Sequence, residues 1–247
     1  MAFEACRLLC LPCAGGSATV YARWAQAAPS WLAVHPLELP GRGTRHHEPL
    51  QHDPHLLADQ LSDECLTRHI GPGTRFALFG HSLGGLLAFE IAHRLHARGC
   101  APVALFVAAS RPPATRDDSR YAALRDDAEV LAEMRTLGGT PEALLAEPEL
   151  IAMVLPVIKA DFQLCGHYRR QPRASLPVPI HAFAGKRDTF APEVLDDWRG
   201  ETSDAYTRTD FDGDHFFVRD DPAHLLAVIA NSLAPAMHAP RALAAAR

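Results

Sequence analysis

Short apolar segments alternate along the chain with longer segments in which apolar residues recur at helical spacing. Compact apolar runs bounded by Gly, Pro or polar residues are typical of strands; six such segments are residues 7–12, 31–39, 75–80, 103–110, 177–185 and 205–211. The segments between them predict helices at residues 18–28, 54–70, 86–99 and 221–234. This alternation predicts an α/β fold with a mostly parallel central sheet flanked by helices.

One long segment, residues 111–173, interrupts the alternation. It contains no predicted strand, and its helical periodicity lies at residues 126–139 and 148–164. An insertion of about sixty residues is longer than a simple crossover between two strands requires. It therefore predicts a helical lid on a single domain spanning residues 1–247. The final residues, 235–247, predict a flexible tail.

The composition fits a globular protein and argues against several functional classes. Of the 247 residues, 48% are hydrophobic and 21% are charged, so the chain is able to bury a full core. The net charge is −5 and there is no long basic block, which argues against nucleic-acid binding. Neither a signal peptide nor a transmembrane run of about 18 apolar residues is predicted. We therefore expect a cytoplasmic protein, not bound to a membrane, whose six cysteines are reduced.

A nucleophile motif follows the third predicted strand. Gly80-His81-Ser82-Leu83-Gly84 has the form G-x-S-x-G between a strand and a helix, which is the context in which this motif has meaning. The two glycines permit a tight turn that presents the Ser82 hydroxyl at the start of the helix. There the backbone N–H of Leu83 is free to stabilise an anion. The alternative is a glycine-rich turn that contains an incidental serine.

A nucleophilic serine needs a base, and the base needs an orienting carboxylate. In hydrolases with this motif, the acid and then the histidine follow the serine along the chain. Asp188 follows the fifth predicted strand and His215 follows the sixth, so these residues are the candidates. Asp212 and Asp214 are the alternative acids, although their closeness to His215 favours a role in shaping its turn. His81 is expected to pack rather than to act as the base.

The stretch CLPCAGGS, residues 10–17, follows the first predicted strand and allows two interpretations. Cys10 and Cys13 have the spacing of a redox or metal pair, but Cys10 lies in the strand pattern rather than at a helix N-terminus. No second C-x-x-C completes a zinc site. We therefore interpret the stretch as a loop in which the backbone N–H of Ala14 is the second donor of an oxyanion hole. No metal and no cofactor are expected.

Several motifs together resemble one family, the stand-alone type II thioesterases of polyketide and nonribosomal peptide pathways. They are LPCAGGSATVYARWA, LPGRGTRHHEPL, ALFGHSLGGLLAFEIA, LGGTPEALLAEPEL, LPVIKADFQL and DGDHFF, in order from Arg7 to about Leu233. The resemblance implies an α/β-hydrolase fold and hydrolysis of acyl groups from the phosphopantetheine arm of an acyl or peptidyl carrier protein. It also implies that Ser82 is the nucleophile, His215 the base and Asp188 its partner, with Ala14 and Leu83 forming the oxyanion hole.

One departure from the family lies near the expected chemistry. Cys13 stands where the family usually has tyrosine or another aromatic residue, so Cys13 is expected to line the acyl pocket, together with Phe216. Two groups of arginines flank the predicted lid, and they either bind an acidic carrier protein or form a solvent-exposed charged rim. They are Arg111, Arg116, Arg120 and Arg125 before the lid helices, and Arg169, Arg170 and Arg173 after them. A monomer is expected. The alternative functions are a general carboxylesterase or lipase, a catalytically silent binding protein and, more distantly, a redox protein.

Overall fold

Six parallel strands form one central sheet in the computed structural model, which describes residues 5–124, 126–140 and 142–238. The strands are β1 (Cys6–Leu11), β2 (Leu32–Pro36), β3 (Phe76–His81), β4 (Leu105–Ala108), β5 (Ile180–Gly185) and β6 (Tyr206–Phe211). Their order across the sheet is β2-β1-β3-β4-β5-β6, and every neighbouring pair is parallel. The six predicted strands are all present, so the prediction of an α/β fold with a mostly parallel sheet is confirmed.

Eight helices cover the sheet or extend from it within the described residues. They are α1 (Trp24–Ala27), α2 (Pro54–Glu64), α3 (Leu83–Ala97), α4 (Ser119–Ala123), α5 (Asp127–Leu137), α6 (Glu142–Leu145), α7 (Pro148–His167) and α8 (Pro222–His238). Helix α2 continues into a π-helical turn at Cys65–His69. Shorter 3-10 turns lie at Ala18–Tyr21, Gly43–Arg45, Pro192–Glu201 and Phe217–Arg219.

The core has two parts, one on each face of the sheet. Successive residues of a strand point to opposite faces, and in β1 Leu9 belongs to one buried cluster whereas Leu8 and Cys10 belong to the other. In the central strand β3, all six residues are buried. This burial on both faces explains why the central strands read as nearly unbroken apolar runs.

The segment between β4 and β5 holds the four helices α4–α7 and no strand among its described residues. Helix α7 is long and apolar enough to cross a membrane by length and composition. In this fold it packs against α4, and its Asp161 is fully buried in an ion pair with Arg42. Arg125, one of the arginines considered above, lies outside the described residues.

The C-terminal helix α8 extends further than the sequence predicts. Residues 235–238 are helical, whereas the sequence predicts a flexible tail there, and Pro235 lies inside the helix. The Nη1 atom of Arg75 donates to the carbonyl oxygen of Met237 at 2.6 Å, which ties the last turn to the body of the protein. The rest of the predicted tail, residues 239–247, lies outside the described residues.

Candidate active site

The turn between β3 and α3 holds Ser82 in a strained backbone conformation. Ser82 has φ 55° and ψ −114°, a region that residues with a side chain rarely occupy. A Cβ atom on Gly80 would lie 2.0 Å from the carbonyl oxygen of Gly84, and a Cβ atom on Gly84 would lie 2.2 Å from that of Leu11. Both glycines are therefore required by close backbone approach, and the turn presents Ser82 at the N-terminus of α3.

His215 and Asp188 form a buried pair on the loops that follow β6 and β5. The Nδ1 atom of His215 lies 3.0 Å from both carboxylate oxygens of Asp188. Only 8% of the His215 side chain and 1% of the Asp188 side chain are exposed. The Oδ1 atom of Asp188 also accepts from the backbone N–H of Thr189 at 2.6 Å. A carboxylate at Nδ1 fixes the tautomer that leaves Nε2 able to accept a proton.

Backbone contacts between the two loops bring this pair together. The N–H of Arg187 donates to the carbonyl oxygen of Gly213 at 2.9 Å. A Cβ atom on Gly185 would lie 2.3 Å from the carbonyl oxygen of Asp214, so the loops touch through backbone. The alternative acids have other partners: Asp214 accepts from the N–H of Phe216 at 2.7 Å, and Asp212 pairs with Lys186 at 2.9 Å.

His81 supports the His215 loop. Its Nε2 atom lies 2.8 Å from the carbonyl oxygen of His215, so the neutral ring donates to that oxygen. Burial, assisted by the nearby His215, lowers the pKa of His81 to about 3. His81 is thus an uncharged packing and anchoring residue over the physiological pH range.

The depressed pKa of His81 makes folding pH-dependent. An unfolded histidine has a pKa of about 6.5. Between that pH and about 3, His81 is therefore protonated in the unfolded state but neutral in the folded state. The free energy of unfolding should therefore fall as pH drops from about 6.5 towards 3, by up to about 1.4 kcal/mol per pH unit from this residue. Urea unfolding between pH 7.5 and 5 measures the slope. His81→Asn removes the titrating ring and should reduce the slope; equal slopes in the two proteins would contradict this explanation.

The loop after β1 contains one of the two predicted oxyanion donors, the backbone N–H of Ala14. The N–H of Gly16 donates to the carbonyl oxygen of Cys13 at 2.9 Å, which closes a turn around Ala14 and Gly15. Among the described residues, no hydrogen bond uses the N–H of Ala14. The N–H of Leu83, at the first position of α3, has no acceptor within its own helix. The role of both N–H groups in an oxyanion hole stays a prediction.

The cysteines of the CLPC stretch do not have the properties of a redox pair. Burial raises the pKa of Cys13 and raises that of Cys10 well above its usual range, so both are held as thiols. All six cysteines are free. Across residues 5–124, 126–140 and 142–238, no three His, Cys, Asp or Glu side chains are grouped to hold a metal ion. The Sγ atom of Cys13 instead accepts from the Nη2 atom of Arg219 at 3.8 Å.

One cavity of about 890 Å³ is lined by several of the predicted site residues. Ser82, His215, Ala14, Cys13 and Phe216 all line it. Helices of the inserted segment supply another part of its lining, through residues that include Tyr121, Met134, Leu137, Ile158, Phe162 and Cys165. Within the described residues Ser82 Oγ makes no hydrogen bond to His215; such bonds are often long before substrate binds.

Known proteins place the chain in a family. Residues 6–233 match the family of thioesterase domains. The chain belongs to the thioesterase family. It is 36% identical over 219 residues to the thioesterase PikA5 of Streptomyces venezuelae, which covers 88% of this chain and 77% of PikA5.

Solved structures agree with this assignment. The type II thioesterase BorB from the borrelidin biosynthetic cluster is similar with a TM-score of 0.83 at 37% identity, covering 93% of each chain. RedJ, a thioesterase from the prodiginine biosynthetic pathway of Streptomyces coelicolor, has a TM-score of 0.83 at 34% identity, covering 94% of this chain and 87% of RedJ. The predicted family and α/β-hydrolase fold are confirmed.

Most arginines around the inserted segment of this thioesterase are occupied by internal partners. Arg116 pairs with Asp118, Arg120 with Glu133, Arg170 with Glu201 and Arg173 with Glu90. Arg169 donates to two nearby carbonyl oxygens. Arg111 forms no ion pair within the described residues; its guanidinium lies 4.9 Å from the ring centroid of Phe190, at the cavity.

Three contacts near the site of this thioesterase were not predicted from the sequence. Arg42 and Asp161 form a buried ion pair behind the loop that holds Ala14. Arg219 donates to the carbonyl oxygen of Gly139 at 3.0 Å and lies over the ring of Phe216 at 4.5 Å. Arg42, Gly139 and Asp161 were inside motifs that carried the family resemblance, but only the fold shows what they touch.

Proposed function

We propose that this thioesterase hydrolyses acyl thioesters on the phosphopantetheine arm of carrier proteins, with Ser82 as nucleophile, His215 as general base and Asp188 as its orienting partner. The observation that carries the proposal is that Ser82, on a strained turn, and His215, bonded to buried Asp188, line one cavity. BorB and RedJ, which come from a biosynthetic cluster and a biosynthetic pathway, support this substrate class.

The chemistry proceeds through an acyl-enzyme. His215 Nε2 takes the proton of the Ser82 hydroxyl while Oγ forms a bond to the thioester carbonyl carbon. Collapse of the tetrahedral intermediate breaks the C–S bond, and His215 returns the proton to the departing sulfur. Water then attacks the acyl-Ser82 ester with His215 again as base. The products are a carboxylic acid and the free thiol, and Ser82 regains its proton.

The backbone N–H groups of Ala14 and Leu83 would stabilise the negative oxygen in both tetrahedral intermediates. These groups lower the activation barrier because the fold holds them in place before the charge develops. Loss of one such donor typically costs about a hundred- to a thousandfold in rate. A thiol with a pKa near 8.5 is a good leaving group, so attack by Ser82 and then by water are the demanding steps.

Helices α4–α7 would act as a lid over the acyl chain in a single domain. Tyr121 and Phe162 stack with ring centroids 4.8 Å apart and form part of the apolar wall of the cavity. Cys13 and Phe216 lie on the same cavity near Ser82, where they would limit the shape of the acyl group. The arm would reach Ser82 through the open side of this cavity.

Further properties of the protein are part of the same proposal. The free state of all six cysteines supports a cytoplasmic location. A monomer is proposed, acting without metal or cofactor, since the Ser82 mechanism requires neither. Of the rim arginines, Arg111 is the best placed to meet an acidic carrier protein, because it lines the cavity and has no carboxylate partner among the described residues.

The test presents one acyl group in three forms: on a carrier protein, as a small thioester and as an oxygen ester. Mass spectrometry follows release by the wild-type protein, with Ser82→Ala as the background. We expect the carrier thioester to be cleaved fastest and Ser82→Ala to be inactive on all three. Preference for the oxygen ester would favour the carboxylesterase alternative. Failure of a fluorophosphonate to label Ser82 would favour a silent binding protein.

A further inference from the structure

A buried ion pair lies directly behind the loop that carries Ala14. Asp161 of α7 is fully buried, and its two oxygens accept from Arg42 at 2.5 and 2.7 Å. The oxygen Oδ2 also accepts from the backbone N–H of Gly15 at 2.7 Å. The carboxylate therefore binds the peptide group next to the proposed oxyanion donor.

Arg42 also binds the loop that carries Ala14. Its Nη1 atom donates to the carbonyl oxygen of Gly16 at 3.3 Å, and its Nε atom donates to the carbonyl oxygen of Pro40 at 3.4 Å. Only 8% of Arg42 is exposed. A charged group this buried requires a partner, and Asp161 provides it. The pair links three segments that are distant in sequence: the loop after β1, the loop after β2 and helix α7.

Helix α7 also touches the loop by packing. Gly15 has φ +71°, and a Cβ atom on it would lie 2.6 Å from Cγ1 of Ile158. Ile158 and Asp161 are three residues apart and share one face of the helix. One face of α7 thus supplies both an apolar contact and a hydrogen bond to the residue that follows Ala14. Arg42 and Asp161 themselves do not line the cavity, whereas Ile158 does.

We propose that the Arg42–Asp161 pair is a positioning device that sets the Ala14 N–H for the oxyanion and makes its position depend on helix α7. This inference rests on the proposed function, because it assigns Ala14 to the oxyanion hole. Replacing a buried ion pair with apolar residues is often neutral for stability. The main contribution of the pair is therefore to the position of the Ala14 N–H rather than to net stability. A shift of about 1 Å in a reacting group can lower a rate by about a hundredfold.

The test uses Asp161→Asn, which keeps the side-chain volume and one acceptor, and Arg42→Lys, which keeps a positive charge. Active-site titration with a fluorophosphonate first counts the folded sites. Per titrated site, kcat on the small thioester should fall about 10- to 100-fold, whereas KM and the pH profile should change little because the His215–Asp188 pair is untouched. A trifluoromethyl ketone, which forms a tetrahedral adduct with Ser82, should bind more weakly by the factor lost in kcat/KM.

The matched control is Glu142→Gln, which removes an exposed carboxylate that pairs with Arg135 elsewhere on the inserted segment. It should behave as wild type. Wild-type kcat per titrated site in both Asp161→Asn and Arg42→Lys would overturn the inference. So would a loss carried only by a smaller number of titrated sites, since that is the result of a purely structural role.

The two proposals fail in different ways. If the wild-type protein labels with fluorophosphonate but releases no acyl group from any thioester, the proposed function is wrong. The labelling rates of the variants still decide the positioning inference in that case, because phosphonylation of Ser82 also develops charge in the oxyanion hole. Slower labelling of both variants than of Glu142→Gln supports the inference, and equal labelling overturns it.

Discussion

A His215→Ala variant is expected to lose hydrolysis of the carrier-bound thioester by about 10⁴- to 10⁶-fold in kcat. Without the imidazole, Ser82 has no group to accept its proton, and the departing sulfur has no proton donor. The neighbouring His81 cannot replace it, because its Nε2–H is engaged with the His215 carbonyl oxygen and its low pKa makes it a poor base. Single-turnover release of the acyl group, followed by mass spectrometry, measures the loss.

Two further variants sharpen this prediction. Asp188→Asn retains the shape of the pair but stabilises the wrong tautomer of His215, so it should lower kcat by about 10⁴-fold. His47→Ala removes an exposed histidine and should act as wild type. An Asp188→Asn enzyme with near-normal kcat, or a His215→Ala enzyme that still labels rapidly with fluorophosphonate, would show that another residue activates Ser82.

The strands and the turn at Ser82 were predictable because the sequence encodes them locally. The unbroken apolar run of β3 reflects burial on both faces of the sheet. Gly80 reflects close backbone approach within the turn itself, and Gly84 reflects the approach of the loop after β1, but the G-x-S-x-G pattern that contains both is local in sequence. The positions of Asp188 and His215 followed from chain order, since the carboxyl ends of neighbouring parallel strands meet at one edge of the sheet.

The contacts behind the site were not predictable in the same way. Arg42 and Asp161 are 119 positions apart, and Cys13 and Arg219 are 206 apart. No local pattern distinguishes an arginine in a buried ion pair from one on a solvated rim, because the difference lies in what the fold brings beside it. For the same reason the sequence left the roles of Arg116, Arg170 and Arg173 open.

A buried carboxylate, Glu90 of α3, carries the largest expected effect on stability. It is fully buried and accepts from Tyr168 at 2.8 Å, from Arg94 at 2.6 Å and from Arg173 at 3.0 Å. Burial alone would raise the pKa of Glu90, but hydrogen bonds and charge from Arg173, with Tyr168 and Arg94, bring it down to about 2. Glu90 thus ties the chain that leaves α7, at Tyr168 and Arg173, to the central helix α3.

Glu90→Gln should lower the free energy of unfolding at pH 7 by about 3 kcal/mol, because Arg173 is left largely buried without a charged partner. Urea unfolding measures the change, and Glu193→Gln, which removes an exposed carboxylate near Arg208, should stay within about 0.5 kcal/mol of wild type. Since the pKa of Glu90 lies below its unfolded value of about 4.3, the ion pair contributes fully to stability above that pH, and its contribution is lost as pH falls towards 2. The difference in free energy of unfolding between wild type and Glu90→Gln should therefore be constant from pH 7 to 5 and shrink below about pH 4.3; a difference that is absent at pH 7 would mean that the α7 exit is anchored by other contacts.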